Sequence, residues 1–245
     1  VMASAKNGND AWIYGGPEAV TLLIQGTILV NRSSFAVKGA MHHPDACFRA
    51  ELEKRLKGKG IVLDKQKIKE GERHALLTMV SPFLKDIVYY TNKNSVNLFA
   101  EALGELISPT DYAKTVKAEL SDMGIDSCGI TLKDASGLSP ANAVPAEVFT
   151  DVLIWARRYL SDAFVLSLPR GNVDWSLRIY SDHPVLRGNV VAKTGSMSGV
   201  RALAGYLKTR QGETLAFTIL VNNYVGDPVK VQECMRDLLK EVADK

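Results

Sequence analysis

Two short stretches of this chain hold residue types that can do chemistry together. Lys193-Thr194-Gly195 follows the apolar run Val190-Val191-Ala192 and precedes a second strand-like stretch. On an edge strand, Lys193 presents an ammonium to a cleft and Thr194 adds a hydroxyl donor. Gly195, lacking a Cβ, lets another backbone come close. Such a strand suits an extended peptide that ends in a carboxylate. A given Lys-Thr-Gly triplet arises by composition in roughly one chain in twenty of this length, so its placement says more than its presence. The plainer reading is a solvated strand end followed by a glycine turn.

Ser95-Val96-Asn97 lies in a polar break between two helical patterns and is the only Ser-x-Asn of the sequence. Taken alone it reads as an Asx or Ser turn, or a helix cap. Other chemistries find less support. Cys47, Cys128 and Cys234 are widely spaced without a C-x-x-C, which argues against a disulfide framework or zinc knuckle. His42 and His43 are adjacent, while His74 and His183 stand alone. None has the i, i+4 spacing of a helical metal site. No metal and no organic cofactor is expected. A net charge of +3 from 30 basic and 27 acidic residues is too small and too evenly spread for a nucleic-acid partner. No run approaches the ~20 apolar residues of a membrane span.

The elements that must position these groups follow from periodicity. Residues 19–30 read as a strand or strand pair. Asp45 is the expected N-cap of an amphipathic helix with Phe48, Leu52 and Leu56 on one face, ending at Gly58 and Gly60. Residues 61–63 read as a short strand, and the charged stretch 64–73 as a linker. Ser81-Pro82 reads as a helix start, with Phe83, Leu84, Ile87 and Val88 apolar, and residues 91–94 as the break after it. Residues 98–106, 113–123 and 145–160 read as helices, and 132–141 as a loop rich in turn formers. Residues 190–194, 201–207 and 214–222 read as strands, the last two joined by a hairpin at 209–212. Asp227 and Pro228 open a final helix with Val231, Met235, Leu238, Leu239 and Val242 in one stripe. Antiparallel strands followed by a helix stripe predict an α+β layered fold.

Taken with their flanks, the motifs resemble a known family. Ser95-Val96-Asn97 and Lys193-Thr194-Gly195 match the second and third motifs of penicillin-recognising serine enzymes in order. The run from Asn94 to Glu101, the loop Asp134-Ala135-Ser136-Gly137-Leu138-Ser139, and residues 193–207 with a later strand ending Val221-Asn222-Asn223 sharpen the match. They resemble the class C, low-molecular-mass D-Ala-D-Ala carboxypeptidases of serine peptidase family S13, the penicillin-binding protein 4 type. Residues 19–63 resemble the end of the large insertion that family carries between its first and second motifs. The resemblance implies a β-lactamase/transpeptidase-like antiparallel sheet flanked by helices. It also implies that residues 1–71 end an inserted domain, and that 72–245 form the C-terminal part of the catalytic domain.

The resemblance further implies a site. Ser95, Asn97 and Lys193 would be catalytic, and Lys193 with Thr194, Gly195 and Ser196 would hold the substrate's terminus. Ser198 and Leu138 would contact the peptide stem. The substrate class would be peptidoglycan stem peptides, β-lactams would inhibit, and the setting would be periplasmic or otherwise extracytoplasmic. Val96 stands where the family usually has Asp or another polar residue. Trp175-Ser176-Leu177 stands where it often has Gly-Thr-Leu. A larger departure is that no Ser is followed three residues later by Lys. A serine hydroxyl needs an adjacent base to become a nucleophile, so an upstream segment is expected to supply both. Two rivals remain open: a non-catalytic peptidoglycan-binding scaffold, and a β-lactamase or esterase on the same fold. The insertion remnant and the Ser-Gly-Leu-Ser loop favour the peptidase.

Overall fold

The computed structural model describes residues 2–4, 10–16, 19, 21–30, 34–37, 39, 41–62, 75 and 77–244. It divides into two compact units, residues 1–77 and 78–245. In the first, β1 (Met2–Ser4), β2 (Asp10–Tyr14) and β3 (Leu23–Leu29) form a sheet of order β1-β3-β2. β3 runs parallel to β1 and antiparallel to β2. Helix α1 (Pro44–Gly58) follows.

The second unit begins with α2 (Leu84–Asn94), α3 (Asn97–Ile107) and α4 (Tyr112–Asp122). After a loop come α5 (Ala146–Tyr159), the short α6 (Asp162–Ser167), a 3-10 turn (Trp175–Leu177) and α7 (Arg178–Ser181). Strands β4 (Val190–Met197), β5 (Val200–Lys208) and β6 (Thr214–Asn222) then form an antiparallel sheet in sequence order, and α8 (Pro228–Ala243) closes the chain.

The sheet works because its strands alternate between two cores. On one face Val190, Ala192, Leu203 and Leu207 pack with Leu177, Leu186, Met235 and Leu239, so this layer is α7 and α8. On the other, Tyr206 packs with Leu153 and Leu168, with Val191, Ala204 and Ala216 around them, so this layer is α5 and α6. Burying a leucine fully contributes about 1.5–3 kcal/mol, and Leu177, Leu186, Leu203 and Leu207 have no exposed surface. Asp227 caps α8 by accepting a hydrogen bond from the Val229 N–H at 2.8 Å.

Several expectations need correction. Ile61 and Val62 are not in a strand, while Leu63 and the whole 64–73 linker stretch lie outside the described residues. In α1 the cap position is His43, in the left-handed region at φ 46°, and Asp45 sits in the first turn as a charge favouring the helix dipole. α2 starts at Leu84, because Phe83 is extended at ψ 146°. It continues through residues 91–94, which polarity alone had marked as a break. Within the final stripe, Leu238 is exposed and Ala243 takes a buried place. Strands β1 and β2 precede residues 19–30, where the first strand was expected.

Candidate active site

Ser95 is placed by the end of α2. It has φ 50° and ψ 53°, the left-handed conformation that stops a helix. The N–H groups of Ser95 and Val96 both donate to the Thr91 carbonyl, the latter at 3.2 Å, closing the last turn. Two residues later Asn97 opens α3. A non-glycine residue in this region carries backbone strain, and neighbouring interactions must hold it there.

Those interactions come from the last turn of α2. Lys93 donates to the Leu168 carbonyl at 2.7 Å and to Asp174 Oδ2 at 2.9 Å. The two side chains are only 14% and 20% exposed. Asp174 Oδ2 also accepts the Arg170 N–H at 2.7 Å. Asn92 donates to the buried Ser167 hydroxyl at 2.8 Å. The segment these groups grip lies along the outer edge of β4. Gly171 N–H donates to the Val190 carbonyl at 2.8 Å, and the Ala192 N–H donates to the Pro169 carbonyl at 2.9 Å. Lys93 therefore ties the turn that carries Ser95 to the strand that carries Lys193.

Among the described residues, the outer edge of β4 is hydrogen-bonded only as far as Ala192. Antiparallel strands aim the polar groups of alternate residues to opposite sides, and those of Val190 and Ala192 face outward. The same parity turns the N–H of Ser196 toward the open edge. Lys193 leans over this edge, donating to the Thr194 carbonyl at 2.9 Å and to the Ser95 hydroxyl. Burial disfavours its charged form and lowers its pKa below the ordinary lysine value. An ammonium with easier proton loss, bonded to a serine hydroxyl beside an unpaired strand edge, can pass protons and hold an anion.

Of the residues expected at a site, the structure joins Ser95 to Lys193 directly. Thr194 and Ser196 project from the opposite face of β4, opposite Leu203 and Arg201 of β5. Gly195 leaves room that a Cβ would lose, since it would come within 3.1 Å of the Ala202 Cβ. Asn97 is exposed in the first turn of α3. Ser198 lies in the exposed Ser198-Gly199 turn between β4 and β5.

Leu138 is 55% exposed in a loop tied to α3 rather than to β4. The Glu101 carboxylate accepts the N–H groups of Ala135 at 3.2 Å and Ser136 at 2.9 Å. Asp134 accepts those of Gly137 and Ser139 and the Asn142 amide. Burial pushes the Asp134 pKa up, but the Asn142, Ser139, Gly137 and Leu138 hydrogen bonds together hold it below the usual carboxylate range. Lys93, Asp174 and Glu101 were not singled out from sequence. Lys93 and Asp174 are 81 positions apart, and no local pattern pairs them.

The D-Ala-D-Ala carboxypeptidase 3 (S13) family matches residues 3–243. This chain belongs to that family. It is 27% identical to the D-alanyl-D-alanine carboxypeptidase of Actinomadura sp. (strain R39), over 99% of this chain and 49% of that protein. It is 29% identical to D-alanyl-D-alanine carboxypeptidase DacB of Haemophilus influenzae, over 83% of this chain and 46% of that protein. The chain thus spans about half the length of these relatives. The crystal structure of penicillin binding protein 4 (dacB) from Haemophilus influenzae superposes with a TM-score of 0.81 at 26% identity, covering 96% of this chain and 57% of that one. A second structure of that protein, complexed with a β-lactam, superposes at 0.80. The α+β fold, an antiparallel sheet flanked by helices, is that of penicillin-binding protein 4 and the β-lactamase-like proteins.

Proposed function

We propose that this chain supplies the second and third motifs of a serine D-Ala-D-Ala carboxypeptidase/endopeptidase acting on peptidoglycan stem peptides outside the cytoplasm. The observation that supports this most is the Lys193–Ser95 hydrogen bond beside the uncovered stretch of β4. In this reading the first unit, with residues 1–71, is the end of an inserted domain, and the catalytic domain follows it.

The nucleophile and its base come from a Ser-x-x-Lys segment on an upstream part of the protein. That serine attacks the carbonyl of the penultimate D-Ala and forms an acyl-enzyme, while the C–N bond to the terminal D-Ala breaks. Ser95 passes the proton from the base to the departing nitrogen, and Lys193 keeps the Ser95 hydroxyl oriented. Asn97 hydrogen-bonds the peptide carbonyl. The Ser196 N–H is one oxyanion donor, the other being the backbone N–H of the nucleophile. Lys193, Thr194 and Gly195 form the rim that takes the terminal carboxylate, with Ser198 and Leu138 flanking the stem. β-Lactams carry a carboxylate in the corresponding place, which accounts for their inhibition of such sites. Water then hydrolyses the ester.

The test is release of D-Ala from diacetyl-L-Lys-D-Ala-D-Ala by the full-length protein. Lys193→Ala removes charge-assisted hydrogen bonds of about 1.5–3 kcal/mol, roughly a ten- to hundredfold fall in kcat/KM. Full-length protein that binds peptidoglycan but releases no D-Ala would instead establish a scaffold.

A further inference from the structure

The Trp175–Leu177 turn is fixed from both ends. Asp174, just before it, accepts a hydrogen bond from Lys93 at 2.9 Å, and Leu177 at its end has no exposed surface. The Leu177 N–H also donates to the Asp174 carbonyl at 3.1 Å. Trp175 therefore stands on a rigid support, yet 76% of it is exposed. A single exposed apolar side chain is ordinary, but this one is part of a larger surface.

Trp175 forms part of the wall of a cavity of about 440 Å³. Ile179, Val229 and Met235 continue its apolar side, and Thr194, Gly195 and Ser196 of β4 border it. The volume falls within the range of about 300–1,000 Å³ of small-molecule sites. The cations Arg178 and Arg201 also line the cavity, and the protein engages both. The Arg178 guanidinium stands over the Trp175 ring, 4.2 Å from its centre, while Arg201 donates to the Met197 and Val200 carbonyls. A guanidinium on one face of an indole holds the ring plane by cation–π attraction and leaves the other face for a second group. An apolar group packing there costs little ordering entropy, since the ring is already in place.

We propose that Trp175 is a specificity-determining residue that receives an apolar side chain on the substrate's last residue, the one that departs. This rests on the peptidase reading above. Thr194 and Gly195 belong both to the rim of that reading and to the cavity wall, whereas Leu138 and Ser198, which flank the stem in it, are not among the lining residues. The last residue's side chain is thus the part of the substrate nearest Trp175. The methyl group of D-Ala reaches little of the indole, and a branched chain such as that of D-Leu covers more of it.

The experiment measures kcat/KM of the full-length protein for diacetyl-L-Lys-D-Ala-D-Leu and diacetyl-L-Lys-D-Ala-D-Ala, in wild type, Trp175→Gly and Trp175→Phe. The D-Leu to D-Ala ratio cancels any general loss of folded protein. D-Leu adds three carbons to D-Ala, and burying about half of their surface against the indole corresponds to roughly a tenfold change. The expected result is that Trp175→Gly lowers the ratio about tenfold and that Trp175→Phe keeps most of it. An unchanged ratio in Trp175→Gly, with wild type active on the D-Ala peptide, overturns the inference and leaves the peptidase reading standing. A ratio that rises in Trp175→Gly marks the indole as a wall that excludes bulk, and overturns the inference as well. Wild-type protein that cleaves neither peptide overturns the peptidase reading and this inference with it.

Discussion

Replacing Lys93 with Met tests whether the turn carrying Ser95 is held by a buried ion pair. The substitution removes the 2.7 Å bond to the Leu168 carbonyl and the 2.9 Å bond to Asp174. It leaves the Asp174 carboxylate, 20% exposed, with the Arg170 N–H as its one remaining partner among the described residues. Breaking a fully buried pair costs about 3–5 kcal/mol, and the residual exposure here lowers that to about 2–4 kcal/mol. Urea unfolding followed by Trp155 and Trp175 fluorescence measures it. Penicillin labelling at a temperature where the variant is still folded should slow as well, because the 168–174 segment no longer fixes Ser95 against Lys193. The double variant Lys93→Met/Asp174→Leu should recover about 1 kcal/mol or more relative to the sum of the single changes. A loss below about 0.5 kcal/mol with wild-type labelling would show that α2 is positioned by its other contacts, and the clamp argument would fall.

Gly205→Ala should destabilise by about 1–3 kcal/mol or more, because its Cβ would come within 2.2 Å of the Val191 carbonyl oxygen and displace β4; a thermal melt at the wild-type Tm would refute this. Burial lowers the Lys193 pKa, so its ammonium is lost as pH rises through a value below 10.5. The alkaline limb of the acylation profile should therefore fall before that pH, and Lys193→Arg should carry it higher, since arginine stays charged. By linkage, the unfolded chain binds this proton more tightly, so the group's contribution to stability rises with pH between the depressed value and 10.5. Residues 1–245 expressed alone should self-associate. Among the described residues β6 pairs only with β5, and Phe83 and Leu98 are 77% and 73% exposed. A monodisperse product with one cooperative thermal transition would overturn that expectation.

The sheet and most helices of the second unit were readable because their periodicity coincides with burial. Residues 214–222 are continuous in apolar content, and the Val190 and Ala192 alternation marks the face covered by α8. The end of α2 was not readable. Residues 91–94 are polar, yet they stay helical because Lys93 and Asn92 reach partners some 75–81 positions away, and only Ser95, at positive φ, ends the helix. The same gap hid the clamp itself. Ser95 and Lys193 could be paired from sequence only through the family resemblance; in the structure a hydrogen bond joins them.

The central claim is that Ser95 and Lys193 serve a nucleophile located upstream of this chain. Mapping the penicilloyl adduct on full-length protein by peptide mass spectrometry tests it most directly. The account predicts a single adduct on the serine of a Ser-x-x-Lys segment outside residues 1–245, formed at least about tenfold more slowly in Ser95→Ala and Lys193→Ala. An adduct on Ser95 or any other serine of this chain, or equal labelling rates in both variants and wild type, would contradict it.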